Sequence, residues 1–347
     1  MSTFAQSPSV AVADPPEAAA EPIGFLDFSG ALLAAPERIL PLQGDEPAAA
    51  QGAALLTAHS FGDAARLLAD EGAAWRAALH AVRAHHQAAG RPKRRELLVV
   101  TDDPRLPPAL AGDAAVVRVP EAEGALAAAI GPKTAGVVLT PVRFSAGRDV
   151  ASGATLSEAR SLADEYGIAL LFDESEAGLG RTGMAFAHEW RGVTPDLMLL
   201  SGVDGAAATA LVATDRFARR LPADPPAPRD DVAAAALGVL ATAFAPGFEA
   251  RVQELGWQLE DRLAALRWRR PDLFRDTLGA GLVQGLLCTG PAEPLKALLA
   301  EAGLGVAAFG DILAIRPPLT VEAAEIAAAA DRLDAVVAAL EPATKEA

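Results

Sequence analysis

Four short apolar runs constrain this chain more than anything else in it. ELLVV (96–100), AAVVRV (114–119), GVVLT (136–140) and IALLFDE (168–174) are each bounded by polar residues, Gly or Pro. Runs of this length and setting are the strands of a mostly parallel sheet, covered by helices on both faces. Helical patterns separate them. Residues 72–90 place Trp75, Leu79 and Val82 at helical spacing and close on Gly90, while TLSEARSLADEY (155–166) offers a Thr cap with Glu158 three positions later. Helix, strand, helix, strand in that order predicts an α/β domain.

The last third changes character. Between 232 and 270 the pattern is helical, with Phe248, Val252, Leu255, Leu259, Leu263 and Leu266 at three- and four-residue steps. GLVQGLLC (281–288), a helix near 293–302, DILAIRPPL (311–319) and a final helix over 321–340 then predict a smaller α+β unit. LPADPPAPRDD (221–231) holds four Pro and reads as a surface linker or an interrupted element. The expected division is a disordered leader over 1–24, a large α/β domain over 25–225 and a small C-terminal α+β domain over 226–347. The leader lacks the basic start and unbroken apolar core of a signal peptide.

Composition excludes several function classes. With 30 Lys and Arg against 45 Asp and Glu, the net charge is −15. Such a chain repels phosphate backbones and anionic lipid, so neither nucleic acid nor membrane is expected as a partner. A lone Cys288 forms no intrachain disulfide and no Cys-rich metal site, and a cytoplasmic location is expected. His80, His85 and His86 share a predicted helix, but His85 and His86 diverge by about 100°. No carboxylate completes a ligand set, so they are read as solvated, with no metal. Lys occurs only at Lys93, Lys133, Lys296 and Lys345.

One segment is far more specific: LLFDESEAGLGRTGMAFAHEWRGVTPDLMLL (170–200). Together with LDFSG (26–30), SFGD (60–63), AAIGPKTAGVVLTPV (128–142), ATDRFA (213–218), APGFEARVQELGWQLEDRLAAL (245–266) and RPPLTVEAAEIAAAADRLDAVVAAL (316–340), it resembles the class III, fold type I, pyridoxal-phosphate (PLP) dependent aminotransferases, most closely the acetylornithine branch. The resemblance spans roughly residues 25–340. It implies a fold type I PLP-transferase: a mostly parallel central sheet flanked by helices, with a smaller C-terminal α+β domain. It also implies a dimer whose active sites form at the subunit interface. Asp173 takes the position of the aspartate that keeps the cofactor's pyridine nitrogen protonated, so that the ring acts as an electron sink. The bland alternative for Asp173 is a carboxylate capping the next turn. GLGRTG (178–183) supplies tight turns, and His188 and Trp190 of FAHEW are read as packing residues.

The same resemblance exposes six departures. The position of the Schiff-base lysine, counted from Asp196, is Gly202, and no Lys lies between Lys133 and Lys296. The phosphate-binding turn is Asp70-Glu71-Gly72-Ala73, where two carboxylates replace hydroxyls; as plain helix N-terminal acids they complement the dipole, and in either role they oppose a phosphate. TDDPRLPP (101–108) stands where an aromatic-His-Gly motif is expected. DPPAPRD (224–230) replaces the stretch carrying the partner subunit's threonine. Thr140-Pro141-Val142-Arg143-Phe144-Ser145 departs from the Glu-Pro-Ile/Val-Gln-Gly-Glu motif, and Glu176 replaces a cofactor-contacting glutamine.

No catalytic residue is therefore expected. The vestigial cofactor positions are Asp173, Glu176, Gly72 and Glu71, and no bound cofactor is expected although the ancestral family uses PLP. Arg316 is a candidate for a substrate carboxylate or for a structural ion pair. Ser201 has no evident His/Asp partner. The leading functional expectation is a pseudoenzyme acting by homodimerisation or by association with an active class III aminotransferase. The alternatives are an active acetylornithine/ornithine-type transaminase of arginine biosynthesis, transferring an amino group to 2-oxoglutarate, and a small-molecule binding module. The third would use a cleft made acidic by Asp173, Glu174, Glu176, Glu71 and Asp224.

Overall fold

The computed structural model describes residues 24, 26–29, 46–102, 106–142, 153–202 and 208–340. The expected leader apart from Gly24, the motif positions Arg143, Phe144 and Ser145, and Val203 to Gly205 lie outside the described residues.

The first part runs β1 (Leu26–Asp27), α1 (Ala48–Ala58), β2 (Ala64–Leu68), α2 (Glu71–Ala88), β3 (Glu96–Val100), α3 (Pro108–Ala111), β4 (Val116–Val119), α4 (Ala125–Ala129), β5 (Thr134–Leu139), α5 (Gly153–Tyr166), β6 (Ala169–Asp173), β7 (Leu197–Ser201), β8 (Thr209–Ala213) and α6 (Asp215–Ala218). All four apolar runs are strands. They form a seven-stranded sheet of order β2-β8-β7-β6-β5-β3-β4. The run from β7 through β6, β5 and β3 to β4 is parallel; β8 runs antiparallel beside β7, and β2, antiparallel to β8, restores the common direction at that edge. Successive residues of a strand point to opposite faces. Accordingly Leu97, Val99 and Leu171 pack under α2 with Trp75, Leu79 and Val82, and Leu98, Leu170 and Phe172 pack under α5 with Leu156 and Ala159. Covering on both faces is why these runs are apolar throughout.

The second part is α7 (Asp230–Ala243), α8 (Phe248–Arg269), β9 (Phe274–Ala280), β10 (Val283–Cys288), α9 (Glu293–Glu301), β11 (Leu304–Gly305), β12 (Ala307–Phe309), β13 (Ile312–Ile315) and α10 (Ala323–Ala339). Its antiparallel sheet has the order β12-β13-β10-β9, and β11 pairs with β1. The helical pattern expected over 232–270 is two helices bent by 75°, broken where Pro246 and left-handed Gly247 interrupt it. The six apolar residues expected on one face of α8 are all buried. A Cβ on Gly256 would lie 2.5 Å from the Cα of Gly281, so α8 and the β9–β10 hairpin meet backbone to backbone.

The solvated reading of the three histidines fails for His86. It is fully buried, and its Nε2 lies 2.9 Å from the carbonyl of Ala135, because the inner face of α2 packs onto β5. Among the described residues no single helix is long and apolar enough to cross a membrane; α7 and α8 pass such a test only as a bent pair.

Candidate functional site

Parallel strands bring their carboxyl ends to one edge, and that edge of an open α/β sheet is where ligands bind. Here β6 ends on Asp173 and β7 on Ser201. Ser201 pairs with Thr209, and Thr209 pairs with Leu68, two residues before Asp70 caps α2. The register therefore gathers Asp173, Gly202 and the start of α2 on one edge, as the resemblance requires.

Hydrogen bonds tie the edge together. The Ser175 hydroxyl donates to Asp173 Oδ1 at 2.5 Å, the Ser175 amide donates to the same oxygen at 3.1 Å, and the Ser201 amide donates to Ser175 Oγ at 3.0 Å. Asp173 thus holds the turn that follows it, which is the bland reading of this residue, at the position the cofactor aspartate would take. Ser201 Oγ is shielded and has no hydrogen-bond partner among the described residues. Next to it Gly202 adopts φ +71°, a backbone region that costs an L-residue roughly 1–2 kcal/mol. The residue at the position the resemblance assigns to the lysine is therefore a glycine in a glycine conformation. None of the described lysines substitutes for it. Lys93 and Lys133 precede β3 and β5, at the opposite edge of the sheet, and Lys296 pairs with Glu293 at 2.9 Å on α9.

The start of α2 is already capped. Asp70 Oδ1 accepts the Ala73 amide at 2.7 Å, the Ala69 amide donates to the Pro226 carbonyl at 3.0 Å, and Glu71 accepts the Trp75 indole at 3.2 Å. Asp70 thus takes up the Ala73 amide, one of the donors that would face a phosphate at a helix N-terminus, and the carboxylates of Asp70 and Glu71 stand beside the rest. Pro226 belongs to the Pro-rich segment, which runs without regular structure from Leu221 to Arg229. These residues supply neither an amine nor an anion cradle, and so do not fit a covalently held phosphate-bearing cofactor.

Glu176 and Arg316, singled out separately, are brought together with Arg316 Nη1 4.0 Å from Glu176 Oε2. Arg316 Nη2 donates to the Ser29 carbonyl at 2.7 Å, while its buried Nε has no partner among the described residues. Burial pulls the Arg316 guanidinium below its usual range and Glu176 opposes that shift. Behind it Arg181, fully buried and donating to the Pro317 carbonyl at 3.0 Å, is brought down to about 9 by burial first and by Arg316 second.

Glu174 does not join the acidic cleft. Although it follows Asp173, it is 1% exposed and turns into the interior. It accepts the Ala187 and His188 amides, each at 2.8 Å, and pairs with His188 Nδ1 at 2.9 Å. Its amide continues the sheet by donating to the Leu199 carbonyl. His188 in turn lies against Phe61, Phe172 and Phe186. Sequence reasoning placed His188 among packing residues but missed its partner; the available signal was the DE pair at the strand end, where strand alternation sends two acids to opposite sides.

Comparison with known proteins agrees with this layout. The family model described as aminotransferase class-III matches residues 102–337. The acetylornithine aminotransferase of Mesorhizobium japonicum is 36% identical over 214 residues, covering 60% of this chain and 54% of that protein, so the chain spans about half the length of the curated relatives it matches. The crystal structure of N-acetylornithine aminotransferase from Stenotrophomonas maltophilia superposes with a TM-score of 0.74 at 25% identity, covering 86% of this chain and 80% of that one. An amine transaminase from an uncultivated Pseudomonas species shares the fold at 18% identity and a TM-score of 0.74, covering 95% of this chain and 99% of that one.

Proposed function

Because the chain belongs to the class III aminotransferase family and has the fold type I PLP-transferase architecture, we propose that it is an acetylornithine-type member without PLP-dependent transamination of its own. In this reading it is a cytoplasmic pseudoenzyme that acts through dimerisation or through association with an active class III aminotransferase. The observation that carries the proposal is Gly202, a glycine with φ +71° at the lysine position, with no other described lysine at that edge. Covalent amine catalysis and proton shuttling at the substrate carbon both need that amine. The capped start of α2, with Asp70 and Glu71 in place of hydroxyls, supports the same reading.

The test is to add PLP to the purified chain, scan the near-ultraviolet and visible absorbance, and reduce with borohydride. No protein-bound band is expected. A band that borohydride makes permanent overturns the proposal. Light scattering and co-purification address the second half: a monomer that recovers no aminotransferase removes the association.

A second reading, an active acetylornithine/ornithine-type transaminase using 2-oxoglutarate, is supported by the similarity to curated acetylornithine aminotransferases and by Arg316, a guanidinium near Glu176 whose buried Nε has no partner among the described residues. Transfer of an amino group to 2-oxoglutarate by the isolated chain decides for it.

A further inference from the structure

Residues 72–95 hold six Arg and Lys and no Asp or Glu, in a chain whose net charge is −15. A helix advances by about 100° per residue, so Arg76, His80, Arg83 and Gln87 share one face of α2. That face forms one wall of a groove of about 610 Å³, with Ala109 and Asp113 opposite and Arg95 contributed from the segment before β3.

One arginine of the groove is structural. Arg83 grips the Asp113 carboxylate with Nη1 at 2.6 Å and Nη2 at 3.0 Å, and its Nε donates to the Arg95 carbonyl at 3.1 Å. That fork holds the Asp113 carboxyl below its ordinary range, through its hydrogen bonds first. The only acid of the lining among the described residues is thereby satisfied by a single guanidinium. Two cations remain. The exposed Arg95 makes no side-chain hydrogen bond or ion pair with the described residues, and it feels Asp113 only through space. Arg76 lies toward the first turn of α2, its Nη2 3.9 Å from Asp70, with both side chains mostly exposed. An exposed pair at that distance contributes little and is easily exchanged for a better anion.

We propose that this groove binds a small ligand carrying a chain of two or more phosphate groups, with Arg95 and Arg76 as its cationic contacts, His80 between them and the Arg83–Asp113 fork as a rigid strut. Guanidinium groups match phosphate oxygens two at a time, which favours phosphate over a single point charge. Among the described residues the lining contains no Phe, Tyr or Trp on which nucleobases would stack, so the phosphate chain itself is the recognised element and single-stranded nucleic acid is not. The groove runs along the outer face of α2, outside the strand edge, and the proposal does not depend on whether that edge performs transamination.

The experiment is calorimetric titration of the full chain with inorganic tripolyphosphate at constant ionic strength, with melting temperature as a second readout. Saturable binding and a raised Tm are expected, with orthophosphate at least tenfold weaker. The exposed pair Arg76→Gln/Arg95→Gln should lower affinity at least tenfold without changing the Tm of the free protein. The charge-matched control Arg262→Gln/Lys296→Gln, in the C-terminal part, should bind as the parent does. His80→Glu, which introduces a carboxylate into the wall, provides an independent loss. Absence of saturable binding, retention of affinity in the Arg76/Arg95 variant, or equal loss in the control overturns the proposal.

Discussion

Asp173 and Glu174 are consecutive carboxylates at the end of one strand, yet they serve two differently built regions. Glu174 anchors the segment behind the sheet, where three donors converge on its buried carboxylate. Asp173 faces the strand edge, where Ser175 provides its turn contacts and the neighbouring lysine position is Gly202. The buried contacts of Glu174 hold the frame, whereas at the strand edge the resemblance assigns cofactor roles to Asp173, which keeps its carboxylate, and to Gly202, Asp70 and Glu71, which in our reading do not suit them. The difference teaches that identity to a family across a framework motif reports on folding, and that the chemistry must be read one residue at a time.

The largest effect should follow from breaking the anchored side of this contrast. Glu174→Ala leaves the Ala187 and His188 amides and the His188 ring without their buried acceptor. Losing one partner of such a buried network costs about 3–5 kcal/mol. Urea unfolding monitored by circular dichroism should show that loss, and a change near zero would mean that the Glu174–His188 lock contributes nothing to the frame. Gly202→Lys comes next. The left-handed backbone alone should cost roughly 1–2 kcal/mol in the same assay. The restored amine should still give no borohydride-fixable band with PLP, because Asp70 and Glu71 stand where the phosphate would sit. A band in this variant would show that the edge lacks only its lysine.

A smaller effect separates the regions by pH. Burial in the α2–β5 interface lowers the His86 pKa, with the Ala135 carbonyl pulling the other way. The unfolded chain then binds this proton more readily than the folded one. The sign is therefore that stability is full above the unfolded value of about 6.5 and falls as pH drops below it. The slope for one such group is at most about 1.4 kcal/mol per pH unit. Unfolding free energies measured between pH 7.5 and 5.5 should decline in the parent and decline less in His86→Gln, whose amide can still donate to the Ala135 carbonyl. An identical slope in both would place the acid sensitivity elsewhere.

Much of this arrangement is legible in the sequence, for reasons that differ by element. The parallel strands declare themselves because burial on both faces demands continuous apolar runs, and α8 because its six buried residues keep helical spacing. The elements that were missed carry weak signals. α1 is AAAQGAALLTA, where alanine marks neither face, and the edge strand β2 is AARLL, half-buried and without alternation. β9, FRDTLGA, has only Phe274 buried and resembles a loop until it pairs with β10. At the site, the gap in lysines between Lys133 and Lys296 could be read from the sequence, although only the resemblance makes Gly202 the position at issue. The Arg316–Glu176 approach could not, since it depends on two segments 140 positions apart meeting through Ser29. The inward turn of Glu174 is signalled only by strand alternation at the DE pair, while its partners in the FAHEW segment are not.

The smallest effect expected is that of Asp173→Asn, and it is the one that tests the contrast most finely. The asparagine keeps an oxygen at the Oδ1 position, able to accept from the Ser175 amide and hydroxyl. If the only work of Asp173 is to hold this turn, removing its charge should change stability by no more than about 0.5 kcal/mol, in the range of substitutions away from buried charges. The matched substitution Glu174→Gln, one residue further on, replaces an acceptor of three donors with a group that has one acceptor oxygen and an amide pointed at donors, and should cost several times more. A large loss from Asp173→Asn would mean that the strand edge needs its carboxylate, as it would if a cationic ring were held there. Equal and small losses from both variants would remove the distinction between a preserved frame and a vacated edge.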